Sequence, residues 1–177
     1  MADSLLQHRA EILTEWYDGI LAEYPKETAR FLKRQQDPHA NPVGAGLREE
    51  LAPLFDELVT EWNRERVAAS LDRILRVRAV QDFSPSGAVS FLFALKRLLR
   101  RHCTSDAVSA ENDLETLQFR FDEMVLMAFD AYSRCREQVF DIRVKEIRNL
   151  SLNRLERLNE WRSRRDGIGG DDVAESH

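Results

Sequence analysis

Apolar residues recur along most of the chain at steps of three and four, the spacing of helices that bury one face. Leu6, Ile12, Leu13, Trp16, Ile20 and Leu21 form the first run, opened by Asp3-Ser4. Ser4 with Gln7 fits a capping box, in which each side chain meets the other's free backbone N–H. Tyr24-Pro25 interrupts the run, because proline lacks an N–H and restricts the residue before it. Pro25 suits the first turn of a short second helix, about 25–35, with Phe31 and Leu32 inward. Asp37-Pro38-His39-Ala40-Asn41-Pro42 reads as a loop, with Asn41 as cap and Pro42 as the first helical residue of a third helix. That helix carries Val43, Leu47, Leu51, Leu54, Phe55, Leu58 and Trp62, and Pro53 within it predicts a kink or split near Glu49–Pro53. A fourth helix, about 64–80, shows Val67, Leu71, Ile74, Leu75 and Val77 or Val80. Ser84-Pro85 repeats the cap-and-proline start. The helix after it, about 85–102, has so apolar a body (Val89, Phe91, Leu92, Phe93, Leu95, Leu98, Leu99) that it is expected to be the most buried. Its basic end, Lys96 to His102, suits a helix C-terminus.

After a polar connection at Thr104–Ala110, Asn112 with Glu115 can start the last helix, which meets no breaker until about Arg165. At 1.5 Å per residue it would be roughly 75 Å long, more than one small domain covers. Leu117, Phe121, Val125, Phe129 and Tyr132 can pack on the core. Beyond them the apolar residues repeat at eleven: Val139, Leu150 and Trp161; Val144 and Leu155; Ile147 and Leu158. An eleven-residue repeat is about 3.67 per turn, close to a straight helix or a slightly right-handed coil. A second copy of the same helix is the simplest cover, with Val139, Ile142, Ile147, Leu150, Leu155 and Leu158 as the dimer and signalling positions. The alternative is a break near Asn149 or Asn153 that folds the segment back. Gly167-Ile168-Gly169-Gly170 and the acidic residues after it are expected to be disordered. No segment alternates with the period of a strand. The expected fold is all-α, about six helices with a long C-terminal one. It divides into a helical domain (1–138), an extension of the last helix (139–163) and an acidic tail (164–177).

Composition narrows the functional classes. The 177 residues are 43% hydrophobic and 8% aromatic with a net charge of −5, which excludes collagen-like, mucin-like and wholly disordered chains. No apolar stretch approaches the roughly 20 residues of a membrane span, and the first residues do not resemble a signal peptide. Cys103 and Cys135 are too few for a disulfide framework and read as inert thiols rather than redox sensors; the expected location is the cytoplasm. Residues 134–165 hold ten basic and five acidic side chains, better explained by an exposed helix than by phosphate binding. The turn at Asp82–Ser86 joins two helices, but the second lacks polar residues to read base edges, so neither nucleic acid nor membrane is an expected partner. No phosphate loop, dinucleotide fingerprint or nucleophile elbow occurs. His8, His39, His102 and His177 show no metal-ligand spacing with one another or with a cysteine. No catalytic, cofactor or metal residue is therefore assigned.

Three strings carry a resemblance: Asp37-Pro-His-Ala-Asn-Pro-Val-Gly44; Arg78-Ala-Val-Gln-Asp-Phe-Ser-Pro-Ser86 with Phe91-Leu-Phe-Ala-Leu-Lys96; and Ala131-Tyr-Ser-Arg-Cys-Arg-Glu-Gln138. Together they resemble the N-terminal sensor domain of the RsbT co-antagonist proteins, the RsbR/RsbD-type components of bacterial stressosomes. The resemblance spans roughly residues 5–160. It implies a globin-like helical fold that has lost haem, dimerises, and passes a signal through its last helix to STAS or kinase components of a stress pathway. In longer relatives that helix leads into a phosphorylatable STAS domain, which this sequence lacks, so a free-standing sensor or adaptor is expected. Its input would be a small apolar ligand or a protein partner. The motif-turn residues are Asn41, Pro42, Arg78, Gln81, Asp82, Phe83, Ser84 and Pro85. Their local reading is architectural: two helix starts, and a turn in which Gln81 and Asp82 bond backbone while Phe83 fills the core. The alternative function is a haem- or other cofactor-binding gas sensor of globin type. Against it, the helix at 64–80 has no histidine to ligate iron.

Overall fold

The computed structural model describes residues 2–35, 37–81, 83–103 and 110–168. These form seven helices: α1 (Ala2–Gln7), α2 (Arg9–Leu21), α3 (Lys26–Arg34), α4 (Pro42–Val59), α5 (Arg64–Val80), α6 (Pro85–His102) and α7 (Ala110–Ile168). There is no strand among the described residues, so the fold is all-α with a long last helix, as expected. The helix count exceeds the expected six because the first run divides at His8. Ser4 lies inside α1 rather than capping it, and its hydroxyl donates to the carbonyl of His102 at 3.3 Å. A tertiary acceptor at the end of α6 has taken the place of the local capping box.

Three helix starts follow the side-chain chemistry of their caps. Asn41 accepts from the N–H of Gly44, Asn63 from that of Arg66 and Ser84 from that of Gly87, each satisfying an otherwise orphaned donor. Pro42 and Pro85 occupy the first turns they suit, whereas Pro25 stands one residue ahead of α3. Pro53 does not split α4, which is continuous from Pro42 to Val59. Both Pro53 and Glu49 are exposed; the carbonyl that loses its partner four residues earlier can turn to water, which keeps the break from propagating. Trp62 falls beyond the end of α4, half-buried.

The chain divides into two compact units, residues 1–136 and 137–177. In the first, α4 packs chiefly on α5 and α2 chiefly on α6, while α1, α2 and α3 also touch α4. That central position makes α4 the most buried helix, with nine buried residues against five in α6, so the expectation for α6 is corrected. Trp16, Phe55 and Phe91 are fully buried at the centre; Trp16 stacks on Phe91 at 6.0 Å, and its indole N–H donates to the Phe91 carbonyl at 2.7 Å. The first half of α7 adds Phe121, Met124, Ala128, Ala131, Tyr132 and Cys135 to this core. Several residues expected inside lie outside: Phe31, Val80, Phe93 and Phe129 are all exposed. In the nine-residue α3 the inward face is filled by Leu32 and Ala29, leaving Phe31 on the other side. No helix among the described residues is long and apolar enough to cross a membrane.

Candidate functional sites

The motif turn between α5 and α6 is organised by a buried cation. Arg78, in the last turn of α5, is fully buried. Its guanidinium pairs with Glu23 at 2.8 Å and donates to the carbonyl of Gly87 at 2.9 Å. It also lies over the rings of Phe83 and Phe91, 4.8 and 5.0 Å from their centroids. A planar, weakly hydrated guanidinium tolerates such aromatic contact better than an ammonium. Its Nε and Nη2 have no hydrogen-bond partner, so the site is electrostatically tight rather than fully satisfied. Around it Tyr24 donates to the side-chain carbonyl of Gln81 at 2.9 Å, so Gln81 meets a tyrosine rather than the backbone expected of it, and Tyr24 meets Phe83 edge-on at 5.5 Å. Tyr132, on α7, donates to the Phe83 carbonyl. Burial raises the Tyr24 hydroxyl above its ordinary value of 10.0. Ser84 and Pro85 start α6 at the surface, and Asp82 lies outside the described residues.

Asn41 is likewise buried, 1% exposed. Besides capping α4 it donates to the carbonyls of Leu32 and Gln35, at 3.0 and 2.7 Å, closing the α3–α4 loop on itself. A Cβ on Gly44 would come within 2.3 Å of the Asn41 amide, so the motif's glycine keeps room for its asparagine. Asn41, Arg78, Gln81 and Phe83 thus each hold two segments together. Pro42 is exposed.

In the unit beginning at 137, α7 continues to Ile168 and is the one element among the described residues; residues 169–177, most of the acidic tail, lie outside the described residues. Val139 is partly buried, and every residue from 141 to 164 is exposed. Phe140, Ile142, Val144, Ile147, Leu150, Leu155 and Leu158 are among the exposed apolar residues. At 3.67 residues per turn, Val139, Phe140, Val144, Ile147, Leu150, Leu155 and Leu158 fall within an arc of roughly 130°. Ile142 lies about 65° outside it on the same period. Arg143 and Arg154, eleven apart, fall within the arc, so the strip is apolar with a cationic row set into it.

Other features bear on ligands. A cleft of about 580 Å³ is lined by Leu13, Thr14, Tyr17, Asp18, Lys33, Arg48 and Leu51, with Arg48 over the Tyr17 ring at 4.7 Å and Lys33 paired to Asp18 at 2.8 Å. The lining is more charged than a wholly apolar ligand needs. Cys135 is buried, and burial, with Asp72 nearby, raises its thiol above its ordinary value of 9.0, the direction of an unreactive thiol. Sequence spacing missed one meeting: His8, before α2, and His102, ending α6, lie with ring centroids 5.1 Å apart and share Glu11 as a neighbour. Ninety-four positions separate the two histidines, so only the His8/Glu11 step of three on one helical face was visible locally.

The chain is thus an all-α domain whose last helix carries on into a second unit with periodic, exposed apolar residues. It belongs to the RsbT co-antagonist protein rsbRD N-terminal domain family, which matches residues 10–146, and so stands among signal-transduction domains. An uncharacterized protein of Archaeoglobus fulgidus is 24% identical over 159 residues, covering 88% of this chain and 95% of the relative. No solved structure matches.

Proposed function

We propose that this protein is a non-enzymatic, cytoplasmic regulatory domain of globin-like architecture. It receives a signal in the helical domain, residues 1–138, and passes it through residues 139–163 to a second copy. The downstream partner is a STAS or kinase component of a stress-signalling pathway. Family membership over residues 10–146 carries the reading. The exposed apolar arc on α7 supports the dimer, because Ile147, Leu150, Leu155 and Leu158 side by side in water are a standing drive to associate; Val139, partly buried, opens the seam and Ile142 contributes at its edge. Arg143 and Arg154 are compatible with this, since their stems can cover apolar surface while their heads reach solvent.

The input is a partner protein or a small ligand, and the cleft at Tyr17 and Arg48 is where a ligand with an apolar body and an anionic end would enter. Haem is not part of the proposal: α5 has no histidine, and His102 faces Glu11 and Glu15. Light scattering across a concentration series tests the dimer. The expected mass is two chains, falling to one in the double variant Leu150→Asp, Leu158→Asp, because an unpaired carboxylate at an apolar seam is strongly disfavoured. A wild-type monomer at high concentration, or a double variant that still dimerises, overturns the seam.

A further inference from the structure

We propose that His8, Glu11 and His102 form a binding site for one Zn²⁺ ion. One ligand atom from each lies within 4.8 Å of the others. Two imidazoles and a carboxylate are a donor set that zinc favours, with water in the fourth position.

The orientation of each ring carries the argument. The Nδ1 of His8 lies 2.9 Å from the Ser4 carbonyl. A carbonyl only accepts, so Nδ1 bears the proton and Nε2 bears the lone pair. Metal-ligating histidines are commonly held this way, the second nitrogen donating to a carbonyl or carboxylate. His102 has the complementary arrangement. Its Nδ1 faces Glu11 at 3.9 Å, and its Nε2 faces Glu15 at 4.0 Å. The His102 side chain is only 11% exposed, and its Nε2 is buried without a hydrogen-bond partner. With Nδ1 on the ion, Nε2 would carry the proton and has the Glu15 carboxylate 4.0 Å away, near enough to close on it as the outer partner such a ligand commonly has.

Charge agrees with the geometry. Glu11 and Glu15 bring two negative charges, of which Arg101 offsets one through its pair with Glu15. His102 is the last residue of α6, where the helix end favours a cation. Ligands about 2 Å from a tetrahedral ion lie about 3.3 Å apart, so the site tightens on binding. Glu11, 58% exposed, has the freedom to swing in. The ion would add a bond between the start of α2 and the end of α6, two helices that already pack on one another.

The test uses the full chain, stripped with a chelator and titrated with Zn²⁺ against a chromophoric competitor, with Co²⁺ as a spectroscopic probe. The expected result is one ion per chain, with visible Co²⁺ bands of tetrahedral nitrogen and oxygen ligation. Glu11→Gln, at an exposed position, weakens binding at least about tenfold, and His8→Ala about a hundredfold or more. His39→Ala with His177→Ala leaves binding unchanged. The Zn²⁺-induced rise in Tm is present in wild type and much reduced in Glu11→Gln. Wild-type affinity in both Glu11→Gln and His8→Ala, loss of binding in the His39/His177 variant, or no binding at micromolar Zn²⁺ overturns the site.

Discussion

Arg78 concentrates more of the motif turn's energetics than any neighbour. Its charge is out of water, held by one carboxylate, a carbonyl and two rings. Removing it strands Glu23 beside an empty slot, while removing Glu23 strands the cation. Urea denaturation of Arg78→Ala is therefore expected to show a loss of about 3 kcal/mol, and Arg78→Lys a smaller loss, because an ammonium keeps the charge without the planar stack. Tyr24 and Cys135 make a pH prediction. Both folded-state pKa values are raised by burial above 10.0 and 9.0, so unfolding makes both groups easier to ionise. Their contribution to stability is complete below the unfolded values and is lost as pH rises through the folded ones. Tm is expected to fall on going from pH 8 to pH 11, and Tyr24→Phe to fall less steeply. The sequence made the turn and its residues legible, since Ser84-Pro85 and the proximity of Phe83 are local signals. It did not make the burial of Arg78 legible: a charged residue in the last turn of α5 looks like an ordinary favourable charge for a helix end, and only Glu23, fifty-five positions earlier, reveals otherwise.

Helix boundaries were readable where a capping side chain and a proline coincide, as at Asn41-Pro42 and Ser84-Pro85. The division of the first run at His8 was not, because no breaker stands there; α1 turns to reach α4 and α6, a tertiary cause. Phe31 and Phe93 fit the helical period and yet are exposed, since periodicity names a stripe but not its width. Pro53 gives the clearest prediction at this scale. It sits exposed inside a continuous α4, so the substitution Pro53→Ala restores one backbone bond without disturbing packing. Stability should rise by roughly 1–3 kcal/mol, measured as a higher Tm; an unchanged or lower Tm would mean that the proline's ring packs or that its restriction of the unfolded chain dominates.

For the molecule as a whole, the all-α class and the long last helix were legible from the apolar period alone, because nothing between Leu114 and Arg165 interrupts it. What covers residues 139–158 was not legible, since an apolar strip states a need and not a partner. The meeting of His8 with His102 was equally hidden, being a product of how α1, α2 and α6 pack. If the strip is covered by a second copy, apparent stability becomes a matter of mass action: the Tm of wild type should climb with protein concentration, while that of the Leu150→Asp, Leu158→Asp variant stays flat. The eleven-residue recurrence carries a mechanical corollary. Val144 and Leu155, Arg143 and Arg154, and Ile147 and Leu158 present the same kinds of group one repeat apart. A helix laid along this edge and slid by eleven residues, about 16 Å at 1.5 Å per residue, meets nearly the same relief again. If a second copy is that helix, the proposed seam would offer it two alignments one repeat apart, and trading one for the other would be movement along the helix with no need to unfold.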